Sequence, residues 1–93
     1  MGKFRVEIEK QAQKDIAKHQ KSGNKSTLKK IEILLKELSE HPYTGVGQPE
    51  PLKYNLSGLW SRRITQKDRL VYEVNDMVVT VYVLSAMGHY EDK

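Results

Sequence analysis

The chain has 93 residues, carries 16 Lys/Arg against 12 Asp/Glu for a formal charge of +4, and contains no cysteine. That length suits one domain, 1–93, with a core near the lower limit of self-sufficiency, and the missing cysteines exclude disulfides, thiolate catalysis and thiolate metal sites. The first fifteen residues are charged throughout and the longest strongly apolar run, 77–84, is far too short to span a bilayer, so a cytoplasmic protein with no membrane partner is expected.

Phe4, Val6 and Ile8 alternate with Arg5, Glu7 and Glu9, the period of a strand with one buried face. From Lys10 to Lys21 the composition turns to Gln, Ala, Lys and Asp, with Ala12 and Ile16 four apart, which predicts a mostly exposed helix. Ser22-Gly23-Asn24 breaks it. Leu28, Ile31, Leu34, Leu35 and Leu38 then recur at the spacing of a well-buried helix that ends before Pro42. Residues 41–51 hold three prolines and two glycines and predict an ordered loop. Beyond it, residues 60–65, 69–75 and 77–84 are rich in β-branched and aromatic side chains and predict an antiparallel meander. Strand, two helices, three strands: this order defines an α+β fold in which two N-terminal helices pack on one face of a small antiparallel sheet.

Charge is unevenly spread. Residues 51–69 hold Lys53, Arg62, Arg63, Lys67 and Arg69 against Asp68 alone, whereas 70–93 is net acidic. A basic block of this kind favours a polyanion, nucleic acid above all, although a merely solvated face has the same composition. If residues 66–68 form the turn, Thr65 faces Arg69 and Arg63 faces Val71, so Arg63 and Arg69 share one side of the sheet with Ser61 and Glu73. Trp60, Ile64, Leu70, Tyr72 and Val74 fall on the other side, under the helices. Arg62 falls there too and fits it poorly. Two arginines on a rigid sheet suit a phosphate, and an ordinary exposed strand face suits them equally.

Glu50 lies between Pro49 and Pro51, on a stiff backbone beside the basic block. It is either a general base or a simple loop carboxylate. His89 and Tyr90 follow Gly88 after the last strand, where an imidazole that titrates near neutrality can donate a proton to a leaving oxygen. His19 and His41 have the positions of surface and cap residues. No phosphate-binding glycine loop, histidine pair at metal spacing or nucleophile elbow is present, and RNA cleavage needs none, because the ribose 2′-hydroxyl supplies the nucleophile.

The run GVGQPEPLKYNLSGLWSRRITQKDRLVYEV at 45–74 resembles the central signature of the YoeB (Txe) branch of the RelE/ParE toxin superfamily, and Gly88-His89-Tyr90 resembles that branch's terminal His-Tyr. The resemblance covers about a third of the chain without a gap. Three departures stand out: Glu91-Asp92-Lys93 follow the His-Tyr pair, the stretch between Arg69 and His89 is slightly longer than in the best-known members, and Tyr54 occupies a position where histidine is common. The resemblance implies a RelE-like, microbial-RNase-type fold and a ribosome-dependent mRNA interferase that cuts message in the A site without metal or cofactor. It implies Glu50 as general base, Arg69 as transition-state stabiliser, His89 as general acid and Tyr90 as substrate-orienting residue, with Lys53, Arg63 and, in the same block, Arg62 on RNA phosphate. It also implies a YefM-like antitoxin, a homodimer, and contact with operator DNA only through the antitoxin complex. The rival expectation is a non-catalytic RNA- or ribosome-binding or co-repressor module, which would use the same cations but gain nothing from a carboxylate facing phosphate.

Overall fold

A computed structural model describes residues 3–88. Strand β1 (Arg5–Ile8) leads into helices α1 (Lys10–Ser22) and α2 (Lys25–Glu40), followed by β2 (Glu50–Pro51), a 3-10 turn (Tyr54–Leu56), β3 (Leu59–Arg63), β4 (Arg69–Asn75) and β5 (Thr80–Ser85). The two helices meet at a turn that the sequence builds on both sides. Gly23 takes the left-handed conformation, φ 73°, that ends α1, and the Asn24 side chain accepts the Thr27 N–H at 3.1 Å to cap α2.

The strands form one sheet in the order β1-β5-β4-β3-β2. All neighbours are antiparallel except β1 and β5, which are parallel, so the sheet is mixed where a wholly antiparallel one was expected. The reason is topological: the helical hairpin carries the chain away from β1 and lets the last strand return beside it in the same direction. The core lies between the helices and one face of the sheet. Ala12, Ile31, Leu34 and Leu38 from the helices meet Leu70, Tyr72, Val81 and Val83, with Ile64 and Ala86 closing the ends. Trp60 and Val74 pack partly buried against that cluster, so the apolar face read from alternation is the face under the helices.

Three local expectations change. The third meander strand begins at Thr80, because the Asn75 side chain accepts the N–H groups of Met77 and Val78 (3.0 and 3.3 Å) and makes 76–79 a turn. Its β-branched composition had suggested a strand. The β3–β4 turn is also longer than 66–68: Thr65 Oγ1 accepts from the N–H groups of Lys67 and Asp68, which ends β3 at Arg63 and sets Arg63 directly opposite Arg69. The pairing differs from the expected one by two residues, an even number, so every side chain keeps its expected face. Finally, Glu50–Pro51 is an edge strand within what reads as loop.

Arg62 accounts for the ordered path of residues 41–47. It has no accessible surface, and all five of its N–H donors are engaged. Nε donates to Tyr72 Oη at 3.2 Å; Nη1 donates to Glu37 Oε1 at 2.8 Å and the Val46 carbonyl at 3.1 Å; Nη2 donates to the carbonyls of Thr44 (2.8 Å) and His41. Tyr72 in turn donates to the Pro42 carbonyl at 2.8 Å, and its burial pushes the phenol pKa up, an effect that the neighbouring Arg62 partly offsets. On the outside, Tyr43 donates to Asp76 at 2.7 Å, a bond that raises its phenol to about 12, and its ring rests against Trp60 with centroids 5.2 Å apart.

Gly45 is required by this arrangement. At φ 121° it sits so close to Glu37 that a Cβ would stand 1.9 Å from Oε1, the oxygen that holds Arg62. Gly45→Ala is therefore expected to lower stability by about 1–3 kcal/mol through backbone strain and displacement of the ion pair. The check is urea denaturation, in which the midpoint falls and the slope stays unchanged.

Candidate active site

The loop pinned by Arg62 delivers the chain to the open face of the sheet. Gln48 adopts left-handed backbone, φ 53°, and just before it Gly47 accepts the Arg63 N–H through its carbonyl at 2.7 Å. Left-handed backbone is uncommon for a residue other than glycine, and it turns the chain so that Glu50 pairs with Ser61. Paired residues on neighbouring strands share a face, so Glu50, Ser61 and Val71 form one row, and Arg63 and Arg69 form the row beside it. Gln48, Pro49, Glu50, Arg63 and Arg69 line a cleft of about 420 Å³.

The arginine pair is the unusual element. Like charges directly opposite each other across antiparallel strands oppose sheet formation, so a sheet gains nothing from placing Arg63 against Arg69. An anion between them reverses the sign of that interaction, and two guanidinium groups on rigid strands match the oxygens of a phosphate. Glu50 lies exposed on the same wall. A cleft with two cations and one carboxylate can hold a phosphodiester and take up a proton beside it.

The end of β5 is tied to the same place. Asp15 and His19, both buried on α1, grip Ala86 from two sides: its N–H donates to Asp15 Oδ2 at 3.0 Å, and its carbonyl accepts from His19 Nε2 at 2.8 Å. Gly88 donates its N–H to Asp68 at 2.8 Å and accepts the Arg69 N–H at 3.1 Å. The described chain thus ends hydrogen-bonded to the first residue of β4. His89 and Tyr90, expected at the site, lie outside the described residues.

Of the remaining expected residues, Glu50, Arg63 and Arg69 come together in the cleft, while Lys53 is exposed at the start of the 3-10 turn and is not among the lining residues. Arg62 is removed from the phosphate-binding set, because its side chain is sealed inside the protein with its donors satisfied by the 41–47 loop, Glu37 and Tyr72. His19 is a buried tether of β5 and not a surface residue; His41 is exposed and caps α2, as expected. Gln48 and Pro49 were missed as lining residues, although their place beside Glu50 in the signature run was a signal.

The helical hairpin packed on one face of this sheet is the fold of the small YoeB- and RelE-type bacterial toxins, as solved structures of that class show. The structure superposes on a YoeB/ParE toxin from Agrobacterium tumefaciens with a TM-score of 0.85 and 31% identity, covering 94% of this chain and 100% of that one. The chain belongs to the YoeB-like toxins of bacterial type II toxin–antitoxin systems, whose family profile matches residues 8–90. Among relatives of that family, Toxin YoeB of Synechocystis is 45% identical over 69 residues, 74% of this chain and 78% of the relative. Staphylococcus aureus YoeB, solved as a dimer, is 37% identical with a TM-score of 0.78 over 95% of this chain and 99% of its own. In its complex with YefM it is 39% identical with a TM-score of 0.76, covering 94% and 98%.

Proposed function

We propose that this toxin is a ribosome-dependent endoribonuclease that cuts messenger RNA in the A site. The observation that carries the proposal is the direct opposition of Arg63 and Arg69 across β3 and β4, in one cleft with Glu50. Glu50 takes the proton of the ribose 2′-hydroxyl as the oxygen attacks the adjacent phosphorus. Arg69 and Arg63 stabilise the charge that builds on the pentavalent phosphorane, in an environment where fixed donors replace mobile water. His89 protonates the departing 5′-oxygen, and Tyr90 orients the substrate. The products are a 2′,3′-cyclic phosphate, or the 3′-phosphate formed from it by water, and a 5′-hydroxyl. Support for the last two roles comes from the family's His-Tyr ending, which the family match reaches at Tyr90, and from the tether of Gly88 to Arg69 and Asp68. Lys53 holds neighbouring RNA phosphate from the rim of the cleft, and neither metal nor cofactor enters the scheme.

The partner reading follows the same relatives. A YefM-like antitoxin neutralises the toxin by occupying the cleft, the toxin forms a homodimer, and operator DNA is reached only through the toxin–antitoxin complex in the cytoplasm. The S. aureus YoeB–YefM complex supports a YefM-like partner, and the S. aureus dimer supports the homodimer.

The test is primer extension on a translating reporter message with purified ribosomes, comparing the parent with Glu50→Gln and His89→Gln. New 5′ ends at the A-site codon are expected with the parent, only when ribosomes are present, and are expected to be strongly reduced in both variants. Stalled ribosomes on uncut message would establish a binding module in place of a nuclease.

A further inference from the structure

Ser61 lies at the centre of β3, opposite Glu50 on one side and Val71 on the other, with its side chain on the cleft face of the sheet. It has no accessible surface, and its Oγ has no hydrogen-bond partner among the described residues. A buried hydroxyl in that condition destabilises the fold, because it has given up water and received nothing in exchange. Alanine would occupy the same space without that loss. Packing therefore does not explain the hydroxyl, and its neighbour across the strands does. Directly opposed residues on antiparallel strands hold their Cβ atoms about 4.5–5.5 Å apart, a gap that a serine hydroxyl and a glutamate side chain bridge together. A carboxylate accepts at about four lone-pair positions, so Glu50 can take a bond from Ser61 alongside any other partner.

We propose that Ser61 is a positioning residue: when RNA fills the cleft, its Oγ–H donates to the Glu50 carboxylate and holds that group toward the ribose hydroxyl, beside the cations of Arg63 on β3 and Arg69 on β4. The inference rests on the reading of Glu50 as general base. In this arrangement the hydroxyl is unsatisfied in the empty protein and satisfied in the reacting complex, so its bond contributes where it lowers the barrier.

Ser61→Ala, Glu50→Gln and the double variant, each purified from its antitoxin complex, are compared by thermal unfolding and by single-turnover cleavage of message on programmed ribosomes. Ser61→Ala is expected to melt no lower than the parent and to cleave about tenfold to a hundredfold more slowly, the range for a lost hydrogen bond to a charged group. Added to Glu50→Gln, it should cost little more, because the group it positions has already been removed. Parental cleavage by Ser61→Ala overturns the proposal. So does an equal further loss in the Glu50→Gln background, or a lower melting temperature, either of which places the effect in the fold or on the arginines. Parental cleavage by Glu50→Gln overturns the general-base reading, and the Ser61 proposal with it, and is distinguished by the single Glu50 variant.

Discussion

Arg69→Ala will cleave ribosome-bound message roughly thirtyfold to a thousandfold more slowly than the parent, while unfolding at the same temperature or higher. The rate loss corresponds to about 2–4 kcal/mol, the range for deleting one donor to charge that develops in a transition state. The stability expectation has a separate origin. Arg69 faces Arg63 across the sheet, so the relief of that like-charge pair offsets the loss of the contact that Arg69 makes elsewhere. An ordinary surface cation would give neither effect, and a fold-critical one would give a slower enzyme that also melts early. Single-turnover cleavage and thermal unfolding of the same preparation decide among the three. Arg69→Lys is expected to recover only part of the rate, because an ammonium keeps the charge but not the forked, planar donors.

The second large effect is on folding and not on chemistry. Arg62→Ala removes the buried member of a part-buried ion pair with Glu37 and takes a donor from the Tyr72 hydroxyl and three loop carbonyls. The expected cost is about 3–5 kcal/mol, against a total stability of about 5–15 kcal/mol for a small domain. Urea denaturation of the purified variant should show the midpoint falling by a large fraction of its parental value. Were Arg62 a phosphate ligand instead, the variant would fold normally and lose only RNA affinity.

The same pair predicts the response to acid. Burial alone pushes the Glu37 carboxyl up, but the Val46 N–H and Arg62 outweigh it and hold the group below its reference value of 4.5. A depressed folded pKa means that the unfolded chain binds the proton first, so the contribution of Glu37 is complete above about pH 4.5 and is lost as the pH falls through the lower, folded value. Stability measured down that range should decline less steeply in Glu37→Gln than in the parent.

Arg62 also shows why sequence and structure divide the information as they do. In the strand pattern it is a cation on the apolar face, an anomaly without a resolution, because the groups that satisfy it are backbone carbonyls at 41, 44 and 46, the Tyr72 hydroxyl and Glu37 on α2. Backbone acceptors leave no trace in side-chain composition. His19 misleads in the same way: its partner is the carbonyl of Ala86, 67 residues away, and nothing near His19 in the chain announces it.

By itself the sequence determined the helices, through the spacing of Leu28, Ile31, Leu34 and Leu38, and the sidedness of the sheet, through alternation at 60–64 and 70–74. Both depend on local periodicity, which hydrophobic burial reads directly. It also carried the family signature, and with it Glu50, Arg63 and Arg69. Tertiary structure alone decided the parallel return of β5 beside β1, the pairing of Arg63 with Arg69, and the path of the 41–47 loop to Glu50. The first and last depend on contacts between residues far apart in the chain, and the arginine pairing on the Thr65 turn, whose hydrogen bonds select one register among several that share the same hydrophobic pattern.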